Sequence, residues 1–191
     1  MVQRVMTADD FVEQRSELPD AGQWAELIRG VPVAFPPPDL EHGNIVLNLS
    51  KAFSEYVHRT LIGYACFDLG LHVERRPDTV FFPAVSYFTS GERFSEMDKE
   101  VTESVPAIVI ELLTTNERRR SISERTGVFQ RHGVETIWLI DPSQRIAHVI
   151  RKGGAAPRRL SETDLLTGDN VLPGFSVEVG SLFAVPDWAA D

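Results

Sequence analysis

The sequence predicts an α/β domain organised around a parallel pair of strands, and three observations support this. Ile108, Val109, Ile110, Leu112 and Leu113 form a short apolar run, the pattern of a strand covered on both faces. Ile137, Trp138, Leu139 and Ile140 form a second run, which stops at the turn signal Asp141-Pro142. Between them, Ser121 to His132 carries Ile122, Arg125, Phe129 and His132 at three- and four-residue spacing, and Gly133 supplies the stop. Strand, helix and strand in that order make the unit of a parallel pairing.

Two side chains break the pattern of this unit. Glu111 is a carboxylate inside the most apolar run of the chain, and Arg125 is a cation on the apolar stripe of the following helix. Charged groups are rarely buried unless they are paired or hold an ion. Glu111 at a strand end reaching water, Arg125 snorkelling along the helix edge, and a buried Glu111–Arg125 ion pair are the structural explanations. A functional carboxylate with a cation beside it is the chemical one. The residues alone leave these open.

The remaining elements follow in order. Thr7-Ala-Asp-Asp-Phe opens like a capped helix, with Thr7 as N-cap and Asp10 at the third helical position, and Leu18-Pro19 ends it. Trp24 to Phe35 reads as a hairpin turning at Arg29-Gly30, with Pro32 placing its second strand on an edge. Pro36-Pro37-Pro38 is a stiff extended connector. Asp39 then caps a helix whose apolar stripe is Ile45, Leu49, Ala52, Phe53, Tyr56 and Val57. His42 and Glu41 lie in its first turn, but no partner stands at metal-ligand spacing, so His42 is expected to cap the helix or face water.

Tyr64 to Glu74 predicts one strand and Arg75–Asp78 a turn. Thr79 to Thr89 is β-rich, with Pro83 implying a bulge or an edge, and residues 90–104 read as loop. After Asp141, Arg145 to Arg151 alternates as an outer strand and Gly153-Gly154 turns into a further β segment ending at Leu160. Val171-Leu-Pro-Gly-Phe and then Val177 to Phe183 close what reads as a single domain over 1–191, without repeats or composition shifts.

Composition narrows the class. A chain of 191 residues, 42% hydrophobic and 25% charged, has the makings of one globular core. The single cysteine, Cys66, excludes an internal disulfide and fits a reducing compartment. The N-terminal decad has no apolar core of signal-peptide length, and no apolar run approaches the roughly 18 residues of a membrane helix. A cytoplasmic protein with no membrane partner is therefore expected.

The net charge of −9 argues against a general nucleic-acid coat protein. The charge is uneven, however: Glu117 to Arg159 holds 10 Lys/Arg against 4 Asp/Glu. Arg118, Arg119 and Arg120 begin that basic part. They are either a solvated loop or a phosphate contact beside Glu111. Dinucleotide and phosphate-loop glycine motifs, nucleophile elbows, Cys-x-x-Cys and His-Glu-x-x-His are all absent from the sequence.

What remains is a carboxylate on a central strand, a Pro-marked strand before it and a cation on the helix after it. With its context this pattern resembles the Uma-two family of bacterial proteins described as restriction endonucleases, within the PD-(D/E)xK nuclease superfamily. The matching pieces are Ala25-Glu-Leu-Ile-Arg-Gly, Pro36-Pro-Pro-Asp-Leu-Glu-His-Gly, Asp78-Thr-Val-Phe-Phe-Pro-Ala, Val109-Ile-Glu-Leu-Leu, Gly133-Val-Glu-Thr-Ile-Trp-Leu-Ile-Asp-Pro and Val171-Leu-Pro-Gly-Phe. Each is weak alone; their order and spacing make the match specific over about residues 7–183.

The resemblance implies a restriction-endonuclease-like fold, a mixed central β-sheet flanked by helices with additional β-hairpins, in a homodimer. It also implies Mg2+- or Mn2+-dependent hydrolysis of nucleic acid, DNA in preference to RNA. Glu111 matches the second metal-binding acid, with the Leu112 carbonyl as a further ligand. Arg125 stands at the place of the lysine that orients or activates water. The first acid should follow Pro83, where this chain has Ala84.

Three readings therefore stand. One is a metal-dependent phosphodiesterase with a relocated ligand, for which Glu26 and Glu41 are candidates. The second is a decayed member that binds nucleic acid or a partner protein, and the third a structural dimer with a buried Glu111–Arg125 pair.

Overall fold

The computed structural model describes residues 5–154 and 156–186. The expectations for the N-terminal decad and for the domain limits fall partly on residues 1–4 and 187–191, outside the described residues. Helix α1 (Ala8–Gln14) opens with the expected capping box: Thr7 accepts from the Asp10 N–H, and Asp10 accepts from the Thr7 N–H. Strands β1 (Ala25–Ile28) and β2 (Val31–Ala34) form the hairpin, whose turn holds Arg29 and Gly30 at φ of 50° and 76°. Helix α2 (Leu40–Thr60) starts where the Asp39 side chain accepts from the His42 N–H, and it buries Ile45, Leu49, Phe53 and Tyr56.

The stretch expected as one strand, Tyr64 to Glu74, is two. Asp68 turns the chain at φ 51° between β3 (Tyr64–Phe67) and β4 (Gly70–Glu74), which belong to different sheets. Gly70 makes the change possible, because a Cβ there would come within 2.8 Å of Phe82 and Val101 side-chain atoms. The next β-rich stretch divides in the same way around Pro83, into β5 (Thr79–Phe81) and β6 (Val85–Phe88). Proline has no N–H to donate, so the break costs no ladder bond. Within the predicted loop, β7 (Val101–Thr102) pairs in parallel with β4.

The central unit forms as predicted, from β8 (Ile108–Leu112), α3 (Asn116–His132) and β9 (Thr136–Asp141), with β8 and β9 parallel. Helix α3 starts at Asn116 rather than Ser121, because the Thr115 hydroxyl accepts from the Arg118 N–H and caps it there. Arg118–Arg120 therefore form its first turns and are not a loop. Strands β10 (Ile146–Arg151) and β11 (Arg158–Leu160) extend the sheet outward. A hairpin of β12 (Leu165–Thr167) and β13 (Ser176–Glu178) leads into a 3-10 turn at Val179–Phe183.

The six-stranded sheet runs β11-β10-β9-β8-β6-β3, and the five-stranded sheet β2-β1-β5-β4-β7. Strand β8 lies inside the larger sheet, antiparallel to β6 and parallel to β9, so that sheet is mixed. Its Ile108, Ile110 and Leu112 pack with Phe53, Trp138 and Phe175 in the core beneath α2. Val109 packs on the opposite face with Phe129 of α3 and with Leu71 and Phe81 of the smaller sheet. Each such side chain contributes about 1.5–3 kcal/mol by burial, so β8 is anchored on both faces. By strand alternation Glu111 shares the Val109 face and points at α3. Among the described residues, no helix is long and apolar enough to cross a membrane.

Candidate active site

Three elements bring their charges to one point between the two sheets. Glu111 comes from β8, Glu26 from β1 and Arg125 from α3; they are 1%, 2% and 2% exposed. Arg125 donates to both carboxylates at once. Its Nη1 and Nη2 lie 2.5 and 3.1 Å from Glu26 Oε2 and Oε1. Its Nη2 and Nε lie 2.6 and 3.1 Å from Glu111 Oε1. The guanidinium rests on the Phe81 ring, 4.0 Å from its centroid. Of the structural explanations for Glu111 and Arg125, the buried ion pair is the one observed, widened by Glu26 into a triad.

A second guanidinium closes the cluster from the outside. Arg118 Nη1 lies 3.1 Å from Glu26 Oε1, and its Nε lies 3.6 Å from Glu111 Oε2. Its guanidinium also sits 5.1 Å from the Phe35 ring centroid, on the segment leading to α2. The Phe82 N–H donates to Glu26 Oε1 at 2.9 Å. Two carboxylates thus face two guanidiniums, and the cluster is formally neutral. Burial disfavours the charge on Glu26, but Arg125, Arg118 and the Phe82 N–H more than offset it and hold this carboxyl below the usual glutamate range. Burial likewise opposes the charge on Arg125, and Glu111 and Glu26 reverse that effect, raising its pKa further.

An open cleft lies against the Arg118 side of the cluster. Glu26, Ala84, Glu111, Leu112 and Arg118 line it, together with His42 and Asp68. Ala84 directly precedes Val85, which pairs with Ile110, so Ala84 and Glu111 reach the same cleft from neighbouring strands. His42 belongs to the first turn of α2, and its Nδ1 lies 3.4 Å from Thr114 Oγ1. Burial lowers the His42 pKa despite nearby Asp68 and Asp39. Burial raises that of Asp68, and His42 and Arg15 only partly counter it.

The other sequence candidates scatter. Glu41 is exposed on α2 and does not line this cleft; its electrostatic neighbour is Arg145. Arg119 turns to Asp141, with Nη2 3.1 Å from Oδ1, and Arg120 is exposed. Asp68 was not singled out by sequence reasoning. Its place in the cleft depends on the switch between sheets, which left no composition signal beyond one Asp able to adopt a left-handed turn.

The cleft is a poor seat for Mg2+ or Mn2+. Such ions take hard oxygen donors, commonly one or two carboxylates with waters and phosphate. Glu26 and Glu111 already spend both charges on guanidiniums, and Ala84 adds no oxygen. Among the described residues, no group of three or more His, Cys, Asp or Glu side chains is placed to hold a metal ion. The donor set does not fit a divalent cation.

Comparison with known proteins gives a family and a fold. The family model Uma2, described as a putative restriction endonuclease, matches residues 11–180. The crystal structure of a putative nuclease belonging to DUF820 from Anabaena variabilis ATCC 29413 superposes with a TM-score of 0.75 at 20% identity. The alignment covers 93% of this chain and 97% of that one. No curated protein matches this sequence.

Proposed function

The chain belongs to the Uma2 family of putative restriction endonucleases, and from that premise we propose that the cleft is a nuclease-type site for a nucleic-acid phosphodiester, with hydrolysis weak or lost. One observation supports this reading above the rest: Ala84 reaches the cleft beside Glu111, and the two acids present are already matched by two cations. Metal-assisted hydrolysis needs an ion that polarises the phosphoryl oxygen and acidifies a bound water. A neutral carboxylate–guanidinium cluster offers little net attraction for such an ion.

What this chain's own residues can do is bind. Arg118 is 18% exposed at the cleft wall, at the N-terminal end of α3, where the helix dipole also favours an anion. A guanidinium there can take a phosphate oxygen in charge-assisted hydrogen bonds. Arg125 remains charged at any working pH and cannot exchange protons as a lysine would. It steadies the acids and does not serve as an acid or base. The protein is a homodimer in this reading, as the family resemblance implies, and sedimentation velocity tests it.

The discriminating experiment pairs binding with cleavage. Duplex DNA, single-stranded DNA and RNA oligonucleotides are titrated in chelator, then incubated with Mg2+ and with Mn2+. Metal-free binding weakened by Arg118→Ala, with slow or undetectable cleavage, is expected. Rapid Mg2+-dependent cleavage abolished by Glu111→Ala would show that the activity is intact. Absence of binding to every oligonucleotide would remove the nucleic-acid assignment.

A further inference from the structure

The misfit between the cleft and a divalent ion has a specific cause. We propose that Arg125 is the built-in cation of this site: its guanidinium bridges Glu26 and Glu111 and supplies the counter-charge a divalent ion would otherwise bring, so the unaltered protein holds both acids together without metal. The inference builds on the nuclease-type reading of the cleft, but its readout is metal binding, so either can fail alone.

The geometry fits this role closely. Two carboxylates this deeply buried need a counter-charge, because an unpaired buried charge would instead take up a proton. A divalent ion would collect oxygens from both. The planar fork of Arg125 does so here, with two nitrogens on Glu26 and two on Glu111, at 2.5 to 3.1 Å. Phe81 beneath the guanidinium gives it an apolar seat that suits a weakly hydrated, delocalised cation better than a hydrated metal ion. Arg118 contributes the second positive charge from the cleft side. The total matches that of one divalent ion.

Fork geometry also explains the choice of residue. An ammonium group is a single compact charge that cannot engage both carboxylates in paired hydrogen bonds. Arg125→Lys should therefore loosen the triad and free oxygens towards the cleft, and Arg125→Ala should leave two facing carboxylates with a gap between them.

The test uses Mn2+ as probe, by calorimetry and thermal melting in metal-stripped buffer. The unaltered protein should show no saturable Mn2+ heat and no change in Tm. Arg125→Ala should melt lower, regain Tm when Mn2+ is added, and bind Mn2+ at least about tenfold more tightly than the unaltered protein, the scale of lesser changes around metal sites. Glu111→Gln in that background should abolish the rescue. If Arg125→Ala does not fold even with Mn2+, Arg125→Lys carries the same test and should also gain affinity. Saturable Mn2+ binding by the unaltered protein that Glu111→Gln removes would overturn the proposal. So would a folded Arg125→Lys or Arg125→Ala protein whose Mn2+ affinity is unchanged.

Discussion

Arg125 Nη1 stands 2.5 Å from Glu26 Oε2 while its Nη2 stands 2.6 Å from Glu111 Oε1, so one side chain of α3 ties the five-stranded sheet to the six-stranded one. Removing a single partner from such a contact strands the others. Arg125→Ala should destabilise the protein by about 3–5 kcal/mol, the range for breaking a buried ion pair. Urea unfolding measures this directly. Replacing Glu26, Glu111 and Arg125 together with apolar residues of similar volume should cost far less. If the single and triple variants lose equal stability, the cost is packing rather than stranded charge.

Acid should undo the same contact. The Glu26 carboxyl lies below its ordinary value: burial alone would raise it, but Arg125 and Arg118 more than compensate. The folded state then binds fewer protons than the unfolded one near the glutamate value of about 4.3. The stabilisation is fully present above that pH and is lost as pH falls towards and through the lower, folded value. Glu26→Gln should be less stable at neutral pH and should show a shallower loss of urea midpoint on acidification. Asp78 and Asp141, whose carboxyls are also held low, should preserve part of the slope. An unchanged slope in the variant would mean that Glu26 is not ionised in the fold.

Cys66 should behave as an inert thiol. It is buried on β3, and burial, with the Glu96 carboxylate adding to it, pushes its pKa up to about 11. Reaction rate follows the thiolate fraction and access. Alkylation by iodoacetamide in mildly alkaline buffer should be slow in the native protein and fast in urea. Rapid native labelling would contradict the placement of Cys66.

The sequence exposed Glu111 and Arg125 because each violates the expectation that charge avoids apolar runs. Glu26 gave no such signal. In Ala25-Glu-Leu-Ile it alternates like the outward residue of an ordinary hairpin, and it is buried where it meets Arg125 and Arg118 of α3 and the Phe82 N–H. The parallel unit, the capped helices and the first hairpin were legible because local periodicity and caps determine them. The splitting of 64–74 and 79–89 between sheets was not, since a strand that changes sheets keeps the same composition on either side of the break. The early start of α3 was signalled only by Thr115, whose capping role needs the chain to leave β8 at that point.

Phosphate contact through the arginine triplet should be unequal. Arg118 is held by Glu26 and Glu111 and Arg119 by Asp141, whereas Arg120 is exposed. Each phosphate contact contributes about 0.9 to the log–log salt slope on duplex and about 0.7 on single strands. Arg120→Ser should lower the slope by at most one such step and leave Tm unchanged. Arg119→Ser should also lower Tm, because Asp141 is left buried without its cation. If replacing all three leaves the slope unaltered, nucleic acid is bound elsewhere on the protein.

Restoring an acid at position 84 should succeed only when the arginine is also changed. Ala84 is 7% exposed and lines the cleft with Glu111, so Ala84→Asp places a third carboxylate near the cluster. In the unaltered background that carboxylate meets Arg118 at the cleft wall, and the simplest outcome is another ion pair with little gain in metal affinity. Adding Arg125→Lys removes the fork that engages both older acids, leaving oxygens unclaimed. The double variant should then bind Mn2+ at least about tenfold more tightly than either single one. The excess over the sum of the single effects is a coupling energy between positions that share one cluster. Cleavage of a labelled oligonucleotide with Mn2+ should appear in the double variant first. If Ala84→Asp alone binds metal as tightly as the double variant, the missing acid is the whole defect and the guanidinium of Arg125 is no barrier to the ion.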